Sequence, residues 1–304
     1  MRVIKQFKKA FLGTVLALPL LVVPALAQII SPPTITADPA LYKISDEDTT
    51  IYVLGTIHVL PRHYTWFDGQ IKQAFDKSDE LVLEMVSPEP EIMKGLVLKL
   101  AVDPDGKTLS SYFDEEFQTI YNQRMVSLDV PANAFDAFEP WMASVTISSM
   151  QLQAMGLNPE TGVESILTAA ADREEKPISG LETAAEQLGF FDTLSKDAQL
   201  YMLKNGIEEW DEGAETIKDM LADWSEGDIA GLAELMNEAM ADQSELLTAL
   251  LTDRNARWAD WVKTRLETPG TVFMAVGAGH IAGEGSLFDV LGDDGIEAVR
   301  VDEE

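Results

Sequence analysis

Two of the three histidines in this 304-residue chain follow the same pattern of residues. His58 and His280 each end a Gly-x-x-His motif, whose glycines are Gly55 and Gly277, and an apolar run precedes both motifs. Such a run predicts a buried strand, and a glycine after it permits a turn or a close backbone approach. Both imidazoles are therefore expected at the carboxyl edge of a sheet, where open α/β folds bind ligands. His63, in a polar loop, is expected at the surface.

Two glutamates occupy matching places after apolar residues. Glu84 ends the run 81–83, and Glu182 follows residues 178–181. A carboxylate at the end of a hydrophobic strand is costly to bury unless a cation, a hydrogen-bond network or a metal ion meets it. Each glutamate alone is equally well explained as a strand-end residue that reaches solvent. Together with the two imidazoles, however, these carboxylates have the chemistry to bind a divalent metal ion or to act as acid and base.

Arg254 lies within a stripe of apolar residues that continues with helical spacing from Leu246 to Leu266. An arginine in such a stripe needs an anionic partner. Two interpretations are open. The side chain either reaches solvent or pairs with a core carboxylate, or it enters the site as a clamp for a substrate or a developing oxyanion.

The elements that must position these residues alternate between short strands and helical blocks. Strands are predicted at residues 41–44, 51–54, 81–86, 177–179, 271–276 and 298–301. Helices are predicted at residues 67–75, 163–171 and 287–291, with longer helical blocks over about 89–160 and 183–266. This order predicts an α/β fold with a mixed β-sheet core and a large helical insertion or lid at about residues 89–160.

The first 27 residues have the composition of a secretory signal peptide. A basic start and an apolar run over residues 10–23 precede the small-residue pattern Ala25-Leu26-Ala27. We expect cleavage near Ala27, a linker at residues 28–40 and one domain at residues 41–304. An uncleaved membrane anchor is the alternative, since the apolar run is almost long enough to span a bilayer. No later apolar stretch approaches that length, so the cleaved protein is expected in the periplasm or secreted, away from the membrane.

Charge and composition exclude several classes of function. The chain has 52 acidic and 22 basic residues, a net charge of −30, so its surface would repel the phosphate backbone of nucleic acids. It has no cysteine, which excludes disulfides, thiolate metal sites, cysteine nucleophiles and a lipoprotein anchor. His-Glu-x-x-His, Gly-x-Ser-x-Gly and Walker motifs do not occur. The acidity itself is best explained by solubility, with a cation partner as the alternative.

With these motifs the sequence resembles the TraB/GumN (TIKI-type) family. The matching segments are residues 41–58, 80–84, 180–187, 254–255 and 276–283. The resemblance covers essentially the whole expected domain, although residues 89–159 are only loosely similar. It implies an α/β fold related to erythromycin-esterase-like and ChaN-like proteins, with a site built from two Gly-x-x-His histidines and a glutamate. Animal TIKI members are metal-dependent proteases that trim Wnt proteins, with manganese or cobalt favoured.

From the residues and this resemblance we expect an exported metal-dependent hydrolase, a peptidase that acts on a polypeptide or another small exported substrate. His58 and His280 would bind a divalent ion, with Glu84 as the third ligand or as the base that activates water. Glu182 would orient a histidine or complete the ligand set, and Arg254 would stabilise oxyanion charge. With two histidines and no thiolate, Mn²⁺ or Co²⁺ fits better than a tightly held zinc.

Two alternatives to this expectation are open. One is a hydrolase without a metal ion, in which a histidine serves as the general base, as in the esterase-like relatives that the resemblance implies. The other is a non-catalytic periplasmic binding or accessory protein with a polysaccharide or polypeptide partner.

Overall fold

The computed structural model describes residues 33–240 and 243–301. The expected signal peptide, residues 1–27, and the first part of the expected linker lie outside the described residues. Within the described ranges, no helix is long and apolar enough to cross a membrane.

A mixed sheet of six strands lies at the centre of the fold, which confirms the predicted α/β class. The strands in the described part of the chain are β1 (Ile35–Thr36), β2 (Leu41–Ser45), β3 (Thr49–Thr56), β4 (Leu60–Pro61), β5 (Tyr64–Thr65), β6 (Glu80–Met85), β7 (Leu157–Asn158), β8 (Ile178–Glu182), β9 (Gly270–Gly277) and β10 (Val299–Arg300). The order in the central sheet is β10-β2-β3-β9-β6-β8. Strands β3, β9, β6 and β8 are mutually parallel, while β2 is antiparallel to both β3 and β10.

The four parallel strands end at one edge of the sheet, and the candidate residues lie along that edge. Thr56 at the end of β3 pairs with Gly277 at the end of β9. Glu182 at the end of β8 pairs with the last residue of β6, so Glu84 lies one residue before a strand end. His58 lies two residues after the end of β3, and His280 is the last residue of the short turn after β9.

Helices and turns connect the strands. The helices in the described residues are α1 (Gly69–Lys77), α2 (Pro90–Leu100), α3 (Glu115–Ser127), α4 (Pro140–Ala154), α5 (Val163–Arg173), α6 (Ala184–Asp192), α7 (Lys196–Glu208), α8 (Trp210–Ser225), α9 (Ile229–Met240), α10 (Ser244–Leu247), α11 (Asp253–Leu266) and α12 (Leu287–Asp293). A π-helical turn, Thr248–Thr252, joins α10 to α11. A 3₁₀ turn, Ala278–His280, follows β9.

Helices cover both faces of the central sheet. On one face, α1, α5 and α8 pack through Phe75, Leu167 and Trp224. On the other face, α11 and α12 pack through Trp258 and Leu291. Burial on both faces explains why β3 and β9 consist largely of apolar residues, as is typical of parallel strands inside an α/β fold.

The expected insertion, residues 89–160, shares its apolar interior with the later helical block. Trp141 of α4 stacks on Phe191 of α6 with ring centroids 5.8 Å apart, and Met202 of α7 belongs to the same cluster. Tyr121 of α3 packs with other residues of α7. The two helical segments, distant in sequence, therefore form one packed unit.

Short strand pairs attach the segments around the site to each other. β4 pairs with β7, which joins the loop after β3 to the end of the insertion. The N–H of Val163, the first residue of α5, donates to the carbonyl of Ile57 at 3.1 Å. β1, which lies within residues 28–40, pairs with β5. The start of α5 is thus fixed against the first Gly-x-x-His motif.

Candidate functional site

The two Gly-x-x-His segments approach each other closely at Gly55. A β carbon on this glycine would lie 2.8 Å from Cδ1 of Ile281 and 3.1 Å from Cα of Ala278. Such distances do not occur in folded proteins without a shift of the neighbouring atoms, so a larger residue would push the two motifs apart. The glycine is therefore required by a close backbone approach, as the sequence predicts.

Three candidate side chains surround one point beside Gly277. A β carbon placed on this glycine would lie 3.0 Å from Oε1 of Glu84, 3.6 Å from Cδ2 of His280 and 3.8 Å from Nε2 of His58. The Gly277 backbone, with φ −50° and ψ 136°, suits any residue. The missing side chain, and not an unusual backbone conformation, therefore keeps this space open. The structure brings His58, Glu84 and His280 together around a space the size of a methyl group.

The Arg254 guanidinium joins both glutamates to this group. Its Nη2 donates to Oε2 of Glu84 at 2.6 Å and to Oε2 of Glu182 at 2.7 Å, and its Nε donates to Oε1 of Glu182 at 2.9 Å. Its Nη1 donates to Nε2 of His280 at 2.9 Å and to the Leu250 carbonyl at 3.1 Å. All the N–H groups of this buried arginine therefore have acceptors. Of the two interpretations of Arg254, the structure shows the pairing with core carboxylates.

Two further side chains complete the contacts of the glutamates. Nε2 of Gln187 lies 3.2 Å from Oε2 of Glu84 and 3.2 Å from Oε2 of Glu182, and donates to both. Arg257 reaches Oε1 of Glu182 at 3.3 Å from the solvent side. Glu182 is thus a partner of Arg254, and it contacts Nε and Nη2 of the guanidinium, whereas His280 contacts Nη1.

Asn255 and Arg254 fix the protonation of His280. Nδ2 of Asn255 donates to the Gly285 carbonyl at 2.8 Å, which leaves its Oδ1 as the acceptor 2.6 Å from Nδ1 of His280. His280 therefore donates from Nδ1, and its Nε2 accepts from Arg254, which can only donate. Burial and the neighbouring guanidinium lower the pKa of His280 to about 3, against the opposing effect of the Glu84 carboxylate. His280 is neutral at physiological pH, and both of its nitrogens are engaged.

His58, unlike His280, is positively charged, because it is paired with the Glu164 carboxylate. Nδ1 of His58 lies 2.6 Å from Oε1 of Glu164, and the same oxygen accepts from the hydroxyl of Thr56. Burial alone would lower the pKa of His58, but the Glu164 carboxylate raises it to about 9. The imidazole is therefore protonated at neutral pH, with Nδ1 on Glu164 and Nε2 on the side of Gly277.

Glu84 is kept ionised between these groups. Its Oε1 accepts from the Gly277 N–H at 2.7 Å, while its Oε2 is bound to Arg254. Although burial raises the pKa of the Glu84 carboxyl, the Arg254 guanidinium, the protonated His58 imidazole and the Gly277 N–H hold that pKa well below its usual range. A protonated imidazole and an ionised carboxylate thus face the same small space, which is the arrangement of an acid and a base.

His58 and Glu84 lie at the polar end of a pocket of about 130 Å³. Thr56, His58, Glu84 and His280 supply its polar side chains, and apolar side chains and glycines supply the rest of its lining. Concave, largely apolar pockets with a few convergent polar groups are the usual form of small-molecule sites.

The comparison with known proteins assigns a family. The sequence profile of the TraB/PrgY/gumN family matches residues 40–300, a span that contains all the candidate residues. The chain belongs to this family. One relative is the uncharacterized protein YbaP of Escherichia coli strain K12, which is 25% identical over 248 residues, covering 79% of this chain and 87% of YbaP. Another is an uncharacterized protein of Treponema pallidum strain Nichols, 22% identical over 268 residues, covering 82% of this chain and 79% of that protein.

The family assignment confirms the resemblance to the TraB/GumN proteins. No solved structure matches the chain significantly. The relation of its sheet to the erythromycin-esterase-like and ChaN-like folds therefore stays a prediction.

In this TraB/PrgY/gumN protein the expected metal ligands are engaged by other groups. Nε2 of His280 and Oε2 of Glu84 both accept from Arg254. The positive charge of the guanidinium therefore lies where a metal ion would place its charge. Because the pKa of His58 is raised to about 9, its Nε2 is protonated at neutral pH and has no lone pair for a metal ion. Within residues 33–240 and 243–301, no group of three or more His, Asp or Glu side chains is arranged to hold a metal ion. The donor set, as placed, does not fit a divalent cation.

Sequence reasoning missed the role of Glu164. This residue lies in the first turn of α5, where an acidic residue is common because it complements the helix dipole. Its type and position therefore give no sign of a site. The neighbouring Gly162 is the sequence feature that marks the close approach of α5 to the first motif, because a β carbon there would lie 2.0 Å from the carbonyl oxygen of His58. Only the tertiary contact between α5 and the segment after β3 identifies Glu164 as the partner of His58.

We predict that Arg254→Met destabilises the protein by about 3–5 kcal/mol at pH 7, because it leaves buried carboxylates without their cation. Without the guanidinium, the effect of burial would raise the pKa of Glu84. The folded variant would take up a proton more readily than the unfolded chain, so the deficit should shrink as the pH falls towards 5. Urea unfolding at several pH values measures both effects.

The matched control for this measurement is Arg257→Met, which removes an exposed cation from Glu182, a carboxylate that Arg254 also contacts. We expect a change below about 1 kcal/mol for this variant. Equal losses for the two variants would show that the buried network does not depend on Arg254.

We predict that Glu164→Gln lowers the pKa of His58 from about 9 to near or below the ordinary histidine value, because burial remains while the carboxylate charge is lost. Titration of the imidazole signals by NMR measures this shift. The control is Glu160→Gln, an exposed carboxylate paired with Arg62, which should leave the titration of His58 unchanged. An unaltered pKa in Glu164→Gln would contradict the assignment.

Proposed function

We propose that this TraB/PrgY/gumN protein is an exported hydrolase that cleaves peptide bonds with an acid and a base at the polar end of its pocket. The observation that carries the proposal is the convergence of His58, Glu84 and His280 around the open space beside Gly277. The charge states of the first two residues support it, since a protonated imidazole and an ionised carboxylate face one another there.

The reaction divides between these two residues. Oε1 of Glu84 takes a proton from a water molecule, whose oxygen attacks the carbonyl carbon of the substrate. The bond from that carbon to nitrogen then breaks, and Nε2 of His58 donates its proton to the leaving amine. After the products leave, the proton on Glu84 passes through solvent to His58. This last transfer is downhill, because the pKa of Glu84 is lowered and that of His58 is raised.

The remaining buried residues position the acid and the base. Arg254, with Gln187, holds Oε2 of Glu84 and so directs its Oε1 to the pocket. Glu164 orients His58 and supplies the charge that keeps it protonated. His280, whose nitrogens are bound to Asn255 and Arg254, forms one wall of the space without exchanging a proton. Preorganised groups of this kind lower the cost of aligning reactants.

A divalent metal ion, Mn²⁺ or Co²⁺, is the rival hypothesis for the same site. Binding to His58, His280 and Glu84 would require Arg254 to release His280 and His58 to lose a proton, so affinity would rise with pH. The acid and base mechanism needs neither change. Export is supported by the signal-peptide composition of the first 27 residues.

We predict that the protein recovered from the periplasmic fraction of an expressing bacterium, with Gln28 as its first residue, cleaves members of a pooled library of blocked peptides. Gly277→Ala should lower kcat/KM by about 100-fold or more, because its methyl group fills the space where the substrate reacts. Mass spectrometry of the pool gives the cleavage sites, and thermal unfolding verifies the fold.

The control is Gly292→Ala in α12, where a β carbon would have no neighbour within 4 Å. This variant should keep full turnover. Full turnover in Gly277→Ala would remove the assigned site. A wild-type protein that cleaves no peptide would favour the non-catalytic binding or accessory function instead.

We predict that dialysis against EDTA leaves turnover unchanged, because the acid and the base are side chains of the protein. Elemental analysis and peptide cleavage before and after dialysis measure this. A loss that Mn²⁺ or Co²⁺ restores, together with metal that is absent from His280→Ala but present in His63→Ala, a variant outside the pocket, would overturn the acid and base mechanism and establish the metal-dependent one.

A further inference from the structure

The pocket beside the acid and the base has walls of one chemical kind. Beyond its polar end, side chains from α4, α8, α9 and the π-helical turn line it: Leu152, Ile217, Met220, Leu221, Met236 and Leu251. Among the lining residues that the structure describes, the ionisable ones are the site residues His58, Glu84 and His280. A charged group that entered the pocket beyond these residues would lose its hydration without gaining a partner.

The volume of the pocket limits the group that it accepts. The whole pocket, with its polar end included, measures about 130 Å³, which is close to an engineered apolar cavity of roughly 150 Å³ that binds benzene. A side chain of the size of leucine or phenylalanine fits such a space, whereas alanine leaves most of it empty. Met220 and Met236 in the walls are unbranched and flexible, so the pocket adapts to both branched and aromatic groups.

The pocket is continuous with the reacting atoms. Gly277, Ala278 and Gly279 line it on the side of β9, and Met236 packs so closely on Gly279 that a β carbon there would lie 2.0 Å from the methionine methyl group. If the carbonyl of the scissile bond lies between His58 and Glu84, the side chain next to that bond lies at the entrance of the apolar space. A group two or more residues away along a peptide would not reach it.

We propose that this pocket selects substrates by an uncharged apolar side chain, of leucine to phenylalanine size, on a residue that flanks the scissile bond. The inference rests on the proposed hydrolase function and adds a substrate class to it. Acidic substrates are disfavoured twice, by the apolar walls and by the net charge of −30.

A series of blocked peptides tests the proposal. The series carries Gly, Ala, Leu, Phe, Asp or Lys at each of the two positions that flank the cleaved bond. We expect kcat/KM to be about 10- to 100-fold higher for Leu and Phe than for Gly at one of these positions, as follows from burial of such a side chain. Asp and Lys should be the poorest substrates. Equal rates across the series would overturn the proposal while the hydrolase function stands.

A pair of variants connects the preference to this pocket. Leu251→Trp fills the cavity from the partly exposed π-helical turn, and it should lower kcat/KM for the Phe peptide at least 10-fold while the Gly peptide is affected much less. Leu247→Trp, at a partly exposed position of the same helical segment outside the lining, is the control and should keep the preference. A preference that survives in Leu251→Trp would place the selection elsewhere and overturn the proposal.

A binding measurement separates this proposal from the catalytic one. Saturation-transfer NMR with N-acetylphenylalanine amide should show binding to the wild type that Leu251→Trp abolishes, and N-acetylglycine amide should show none. Binding without cleavage of any peptide would uphold the pocket and remove the hydrolase function. Cleavage without this binding difference would uphold the hydrolase and remove the pocket assignment.

Discussion

The structure around the site depends on one buried ionic contact, that of Arg254 with Glu84 and Glu182. Removing such charges from water can cost more than their attraction returns, so a buried ion pair is weak evidence of a contribution to stability. Its effect on neighbouring groups is more specific. The guanidinium keeps Glu84 ionised, turns its other oxygen, Oε1, to the pocket and, with Asn255, restricts His280 to one tautomer. The charge of Glu84 and the tautomer of His280 therefore derive from this contact, whereas Glu164 sets the charge of His58.

The sheet explains why residues so far apart in sequence form one group. Strands β3 and β9 are adjacent and parallel, so the two Gly-x-x-His segments leave the same edge side by side. Gly55 allows those segments to touch, and Gly277 leaves the gap into which Glu84 and the imidazoles face. Helices complete the site from both sides: α11 supplies Arg254, and α5 supplies the partner of His58. The strands thus bring the site residues together, and the helices supply the partners that set their protonation.

The sequence was informative where local pattern determines structure. Apolar runs with following glycines located the principal strands, and the rule that parallel strands share an edge placed His58, Glu84, Glu182 and His280 together. It was uninformative where partners come from distant segments. Glu164 resembles any acidic residue at the start of a helix, and the stripe containing Arg254 left two interpretations open, because neither pattern encodes which groups it faces. The packing of residues 89–160 with α6 and α7 was likewise invisible to periodicity.

The attachment of α5 has a consequence for how the protein exchanges protons with its surroundings. Glu164 stands at the start of this helix, which is connected through β7 to α4, and α4 in turn lines the pocket with Leu152. A displacement that parted Glu164 from His58 would remove the main cause of the elevated basicity of the imidazole, and a proton would be released to solvent. Any molecule that binds one of these two arrangements more tightly must therefore change its affinity with pH, by the reciprocity of linked equilibria. Such a displacement of the helical wall would thereby be coupled to the protonation of His58.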